Sequence, residues 1–337
     1  MRAGIAVRGL GTVGIIFILA LGILLVPLGS ESEQPTKVPR IGFLDGGWPT
    51  PEFLHLLEAF RQGLRLFGYS EGQNIVIEHR WAEGRYDRLP GLVAELVDLK
   101  VDIIVAGIAQ AARASKQATT RIPIVMVSAV DPVGFGLVNS LARPGGNITG
   151  LSNLSPELTA KHLELLKETV PGVSRVAILW NAANPIEIRL WRARQAAARA
   201  LGLTLLPVEV RSPDDFASAF SAMTRERPGA LHVHADPLIL GHRRQVVEFA
   251  TKNRLPIVSD VREFTDAGGL ISYGVHLPDM YRRAASFVDK ILKGTKPSDL
   301  PVEQPTRFEV VINLKTAKAL GLTIPQSVLI RADHFIQ

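Results

Sequence analysis

Cysteine is missing from all 337 residues. Disulfides, thiolate chemistry and a lipid-modified cysteine behind a leader are therefore excluded. Aromatic residues are sparse at 6%, and Lys and Arg are not gathered into any block. That leaves no basic-aromatic surface of the kind that binds nucleic acid. The formal charge of +6 is instead dispersed among acids. Arg189, Arg192, Arg194 and Arg199 fall close together, on a segment that also carries Leu190, Ala193, Ala196 and Ala197. They read as the solvated face of one helix. Low-complexity tracts and heptads are absent, as are a G-x-S-x-G elbow, an H-E-x-x-H pair and a Walker loop. Without those motifs catalysis has no visible support.

What is present begins with an export signal. Arg2 and Arg8 precede an apolar stretch from Leu10 to Leu28, and Ser30 and Ser32 supply small residues for cleavage. Residues 1–32 therefore read as a secretory signal peptide. The stretch is also long enough to remain as an uncleaved anchor. No second apolar run reaches that length. The expected location is the periplasm. Gly9, Gly11 and Gly14 mimic the dinucleotide fingerprint G-x-G-x-x-G, with Glu31 near the offset of a ribose-binding acid. That fingerprint needs a preceding strand and a βαβ unit, and neither has room here.

From residue 40 the pattern becomes regular. Arg40 to Leu44 is a short apolar strand, and Phe53, Leu57, Phe60, Leu64 and Phe67 then mark one face of a helix. Further strands are expected at 74–79, 101–105 and 122–127, with helices at 89–99 and 109–119 between them. The run from Asp131 to Leu154, rich in Gly, Pro and Asn, interrupts the series. Beyond it the alternation restarts: helices near 156–170, 185–201, 213–224 and 238–253, and strands near 173–180, 203–208, 230–234, 257–259 and 269–275. An amphipathic helix through Lys293 follows, then a strand within 306–313, a short helix to Leu320 and a final strand near Leu329. Continuous Val/Ile/Leu strands alternating with helices predict an α/β protein, with parallel sheets covered on both faces. The interruption predicts two α/β lobes.

Ligands of open parallel sheets sit beyond the carboxyl ends of the strands. Those positions hold Asp45, Gly46 and Gly47; Gly107 and Ala109; Ser128 and Asp131; Asn181 and Asn184; Asp236; Ser259; and Tyr273. They are small, amide-bearing or acidic, which suits a polar solute. Helices starting after Gly107 and Asn184 aim backbone N–H groups at the same place and favour a carboxylate. His232, His234 and Asp236 share one strand face, but no third or fourth metal ligand is visible, so both histidines are expected to be hydrogen-bonded in the core or at the cleft edge. Trp48 is either a ligand-stacking ring or a surface-loop aromatic, and Trp180 is expected in the core.

The runs R-I-G-F-L-D-G-G at 40–47, F-G-Y-S-E-G-Q-N-I-V-I-E-H-R-W-A-E-G at 67–84, D-P-V-G-F-G-L-V at 131–138, L-A-R-P-G-G-N-I-T-G-L-S-N-L at 141–154, L-W-N-A-A-N-P at 179–185 and I-S-Y-G-V at 271–275 carry a likeness. Over about residues 38–335 the chain resembles the ABC-transporter substrate-binding family that contains the tryptophan/tyrosine-binding lipoproteins. The resemblance implies a type I periplasmic binding protein, with two Rossmann-like lobes, a three-crossover hinge and a solute trapped between lobes for delivery to membrane permease subunits. It places Asp45 to Gly47 and Gly107 to Ala109 on one cleft wall, Asn153 at the hinge, and Asn181, Asn184, Asp236 and Tyr273 on or near the other. Residues 38–152 with 272–302 are the expected first lobe, and 153–271 with 303–337 the second. The solute is expected to be small and carboxylate-bearing, of an amino-acid kind. No cofactor, metal or nucleic acid is expected, and the chain is expected to act as a monomer. Two other classes stay open: a membrane-anchored extracytoplasmic sensor, if the leader is kept, and a two-lobed nucleotide-sugar enzyme, which would need a phosphate loop.

Overall fold

The computed structural model describes residues 37–153, 156–305 and 307–337. The leader, its cleavage site and the G-x-G-x-x-G mimic lie outside these residues. In the first half, β1 (Arg40–Asp45), α1 (Pro51–Leu66), β2 (Val76–Trp81), α2 (Leu89–Asp98), β3 (Ile103–Ile108), α3 (Ala109–Ala118), β4 (Ile124–Val130) and β5 (Ile148–Asn153) follow one another. The chain continues through α4 (Pro156–Thr169), β6 (Arg175–Asn181), α5 (Pro185–Leu201), β7 (Thr204–Val210), α6 (Phe216–Glu226) and β8 (Ala230–Val233). Next come α7 (Pro237–Gly241), α8 (Arg243–Lys252), β9 (Ile257–Ser259), α9 (Arg262–Asp266), β10 (Ile271–Gly274) and α10 (Leu277–Leu292). The C-terminal part holds β11 (Glu309–Asn313), α11 (Leu314–Leu320), α12 (Gln326–Leu329) and β12 (His334–Ile336).

These strands build two sheets. The first has the order β2-β1-β3-β4-β5 and is parallel throughout. The second has the order β12-β11-β10-β9-β8-β6-β7, parallel except where β10 meets β11. Strands covered on both faces need apolar residues at successive positions, and β1, β3 and β8 are buried along nearly their whole length for that reason.

Three passages of chain connect the sheets. One follows β5. A second runs from β10, in the second sheet, to α10, which packs on α1 and against β4 and β5 of the first. The third leaves the edge of β5, where Ser152 N–H donates to Glu303 O at 2.8 Å and Glu303 N–H to Gly150 O at 2.9 Å, and leads to β11. Thr306, inside this last passage, is outside the described residues.

Four details differ from the sequence expectation. The Asp131–Leu154 interruption, in which no strand was expected, holds the edge strand β5. The helix expected at 238–253 is two helices, α7 and α8, meeting at His242. Leu329 lies in α12, which starts behind Pro325, and the last strand is β12 instead. Proline preceding a run favours a helix start, and the short apolar run Val328–Ile330 alone does not distinguish strand from helix. Lastly, Arg194 is 1% exposed, whereas the arginine cluster was expected to be solvated. Among the described residues, no helix is long and apolar enough to cross a membrane.

Candidate ligand-binding cleft

The carboxyl ends of both sheets face one cavity of about 70 Å³. The first sheet and its helices contribute Asp45, Gly107, Ile108, Ala109, Gln110, Ser128, Val130 and Asn153. From the second come Asn184, Ile186, His234, Ala235, Pro237 and Asp260. Apolar side chains of helices flank the space: Phe53 and Leu56 of α1, Leu240 of α7 and Leu277 of α10. One polar wall and one apolar flank define a site for an amphipathic solute.

Asp45 ends β1 and is 2% exposed. Its Oδ1 accepts the Gly47 N–H at 2.9 Å, and the Tyr281 hydroxyl from α10 donates to Oδ2. Burial raises the Asp45 carboxyl above its usual range, an effect opposed in part by those donors. Burial, together with the Asp45 charge, puts the Tyr281 hydroxyl well above an ordinary phenol. Gly107 must lack a side chain here, because a Cβ would stand 1.9 Å from Asp45 Oδ2 and 2.6 Å from the Tyr281 hydroxyl.

Across the cavity Asp236 is the centre of a saturated knot. Its Oδ1 accepts from Asn181 Nδ2 at 2.9 Å and from the Leu238 N–H at 3.0 Å. Its Oδ2 accepts from Asn184 Nδ2 at 2.9 Å and from the Tyr86 hydroxyl, which reaches over from the first sheet's side. Burial raises the Asp236 carboxyl, and burial also lifts Tyr86 well above its ordinary range. Asn184 caps α5 through the Ile186 N–H at 3.0 Å and accepts from Gln110 Nε2 at 2.6 Å. The α5 terminus is thus satisfied internally. By contrast α3 starts behind Ile108, which supplies no side-chain cap, and its first residues Ala109 and Gln110 line the cavity. Of the two helix termini expected to attract an anion, α3 is the open one.

A buried chain of charges supports this wall. Arg194 Nη1 donates to Glu187 Oε2 at 2.5 Å, Glu187 Oε1 lies 3.7 Å from His234 Nε2, and His234 Nδ1 is 2.6 Å from Asp260 Oδ2. Burial opposes charging of His234, but Asp260 and Glu187 outweigh it and push the imidazole up to about 9. Burial likewise works against the Asp260 carboxylate, and the neighbouring imidazoles, His234 first, overcome it and hold its carboxyl low. Behind them, His162 bonds the Tyr273 carbonyl at 2.6 Å and lies 5.3 Å from the tilted ring of His232, whose ring nitrogens have no hydrogen-bond partner among the described residues. Burial holds His232 well below an ordinary imidazole and lowers His162. Only His234 of the expected histidine pair reaches the cavity.

Of the residues singled out from sequence, Asp45, Gly107, Ala109, Ser128, Asn153 and Asn184 meet in the cavity wall. Asn153 Nδ2 donates to Ser128 Oγ at 2.8 Å, so two strand ends are tied together there. Gly46, Gly47, Asn181 and Asp236 stand directly behind that wall: a Cβ on Gly46 would meet Ile108 and Pro237, and one on Gly47 would meet Phe53. Asp131, Ser259 and Tyr273 do not line it. Asp131 bonds Arg189, Ser259 is buried beside Asp260, and Tyr273 packs near Phe308 and His162. Trp48 lies against Phe53, His242 and Gly241, bridging the two sides outside the cavity. Trp180 stacks on Trp191. Tyr86, Gln110 and Tyr281 were not anticipated. Gln110 was accessible to the strand-end rule, as the second residue of a helix entering the cleft; the two tyrosines arrive from flanking segments with no local signal.

Two α/β lobes, joined three times and enclosing a cavity at their strand ends, define the type I periplasmic-binding-protein architecture. The leucine-binding protein LivK of Thermotoga maritima shares it, with a TM-score of 0.57 at 14% identity over 76% of this chain and 83% of that one. The family model for ABC transporter substrate binding proteins matches residues 50–336, and the chain belongs to that family. This is a family of solute-binding proteins. A tyrosine-binding protein of Clostridioides difficile is 28% identical over 79% of this chain and 76% of its own length. An ABC-domain structure from Streptococcus pneumoniae in complex with L-Trp is 30% identical, covers 88% of this chain and 99% of its own, and superposes with a TM-score of 0.81.

Proposed function

We propose that the protein is the extracytoplasmic solute-binding component of an ABC importer, and that it traps an aromatic amino acid or a close carboxylate-bearing relative by hinge closure. The observation that carries this reading is the pairing within one cavity of an uncapped helix terminus, at Ala109 and Gln110, with the apolar flank of Phe53, Leu56, Leu240 and Leu277. A carboxylate is stabilised at the first and a side chain is desolvated at the second. The relatives that bind tyrosine and L-Trp favour the same chemistry. Residues 38–153 with 275–302 act as one lobe and 156–274 with 303–337 as the other, a shift from the sequence expectation because β10 pairs within the second sheet and β5, up to Asn153, within the first. Solute contacts on both walls exist together only when the lobes are closed, so the solute shifts the population toward the closed form. Export by residues 1–32 delivers the carrier to the periplasm, where its closed form meets permease subunits.

Titration calorimetry of the protein lacking residues 1–32 against L-tryptophan, L-tyrosine, L-phenylalanine, L-leucine and their decarboxylated amines tests this reading. We expect saturable binding of at least one aromatic amino acid and none of its amine. Failure of every amino acid and related acid to bind or to raise the melting temperature would sink it.

A further inference from the structure

The turn from Asp131 to Leu137 stands at the cleft mouth, and none of its residues lines the cavity. Asp131 has φ 45°, a left-handed conformation that Asp tolerates better than most residues. Its carboxylate is divided between two donors. Oδ1 accepts the Gly134 N–H at 2.9 Å, and Oδ2 accepts Arg189 Nη1 at 2.7 Å, from α5 on the other side of the cleft. The same guanidinium lies 5.0 Å from the centre of the Phe135 ring. Gly134 leaves the required room: a Cβ there would be 2.1 Å from Asp131 Oδ2 and 2.3 Å from Arg189 Nη1. Within D-P-V-G-F, then, the acid, the bare glycine and the ring all serve one arginine of the opposite side.

We infer that Asp131, Phe135 and Arg189 form a clasp that sets how much of the solute-free protein is closed, so that they tune affinity from outside the cavity. This rests on the hinge reading above. The three are positioning residues: they act on the distance between lobes and not on the solute. Arg189 and Asp131 side chains are 53% and 40% exposed, so the ion pair contributes at most about fivefold to the closed-to-open ratio. The guanidinium over the Phe135 ring adds a factor of about two to five. Tyr86 to Asp236, deeper in the cleft, is a separate contact across it and serves as a control.

Because the chain has no cysteine, Gln117→Cys in α3 and Gln195→Cys in α5 accept spin labels without background. Distances between the labels are read by pulsed electron paramagnetic resonance in the solute-free protein. Arg189→Glu is expected to lower the closed-to-open ratio about fivefold and Asp131→Asn about twofold. Arg189→Lys should keep most of the short-distance population, and about 500 mM salt should move the parent toward Arg189→Glu. An unchanged distribution in Arg189→Glu would overturn the clasp. If Tyr86→Phe then lengthens the distance, the hinge reading survives alone. If every variant keeps one fixed distance, the hinge reading falls with the clasp.

Discussion

Asp236 shows how much of this site is committed to holding itself together. Its four donors leave no lone pair obviously free for a solute, so it sets the position of Asn184 and Tyr86. Asn184→Ala removes a helix cap and one of those donors. It should cost about 1–2 kcal/mol in urea unfolding; no measurable loss would show that the knot is not structural. Arg194→Met strips Glu187 of its buried partner. Losses of about 3–5 kcal/mol are usual for such a change, and the lower end is expected because His234 remains 3.7 Å from Glu187. Sequence logic singled out Asp45, Gly107 and Asn184, which line the cavity, because strand ends are recognisable where an apolar run stops. It did not find Tyr281, whose partner Asp45 is 236 residues away, because only the packing of α10 on α1 brings the two together. Arg194 was hidden for a related reason: its acid Glu187 lies seven residues back, a separation that brings the two onto one helix face while the neighbouring arginines point elsewhere.

At the scale of elements, the ends of β8 and β9 are coupled by His234 and Asp260. The folded imidazole is raised to about 9, against about 6.5 in an unfolded chain. Its contribution to stability is therefore complete below about pH 6.5 and is lost as the pH rises toward 9. His162 and His232 are shifted the other way, so they withdraw stability as the pH falls below about 6.5. Melting temperature should peak near that pH, and His234→Gln should flatten the alkaline limb while leaving the acid limb. A limb that keeps its slope would assign it to other groups. Strand and helix order was readable since parallel strands buried on both faces leave unbroken apolar runs. The α7–α8 break at His242 and the helix at Leu329 were not, because apolar spacing continues through the first and is too short to decide the second.

For the whole molecule, contacts across the cleft are as informative as the cavity. Trp48 packs on His242 and Gly241 of the other side, and Glu52 lies 3.4 Å from Arg244. Separation of the lobes would expose Trp48 to water. A binding solute should shift tryptophan emission, and Trp48→Phe should remove most of that change; an undiminished signal would place the reporter at Trp81, Trp180 or Trp191. Two lobes were legible from the Gly/Pro/Asn interruption at Asp131–Leu154. That the turn opening this interruption reaches Arg189 on α5 was not, since an ion pair between distant exposed residues leaves no periodic trace.

The Tyr86–Asp236 bond ties the two sides of the cleft together. A contact that must break before a solute can enter sets a speed limit on binding. In stopped-flow mixing, the observed rate should rise with solute concentration and then level at the rate of opening. Tyr86→Phe should raise that ceiling and shorten the residence time together, whereas a rate that climbs without limit would mean the door stands open.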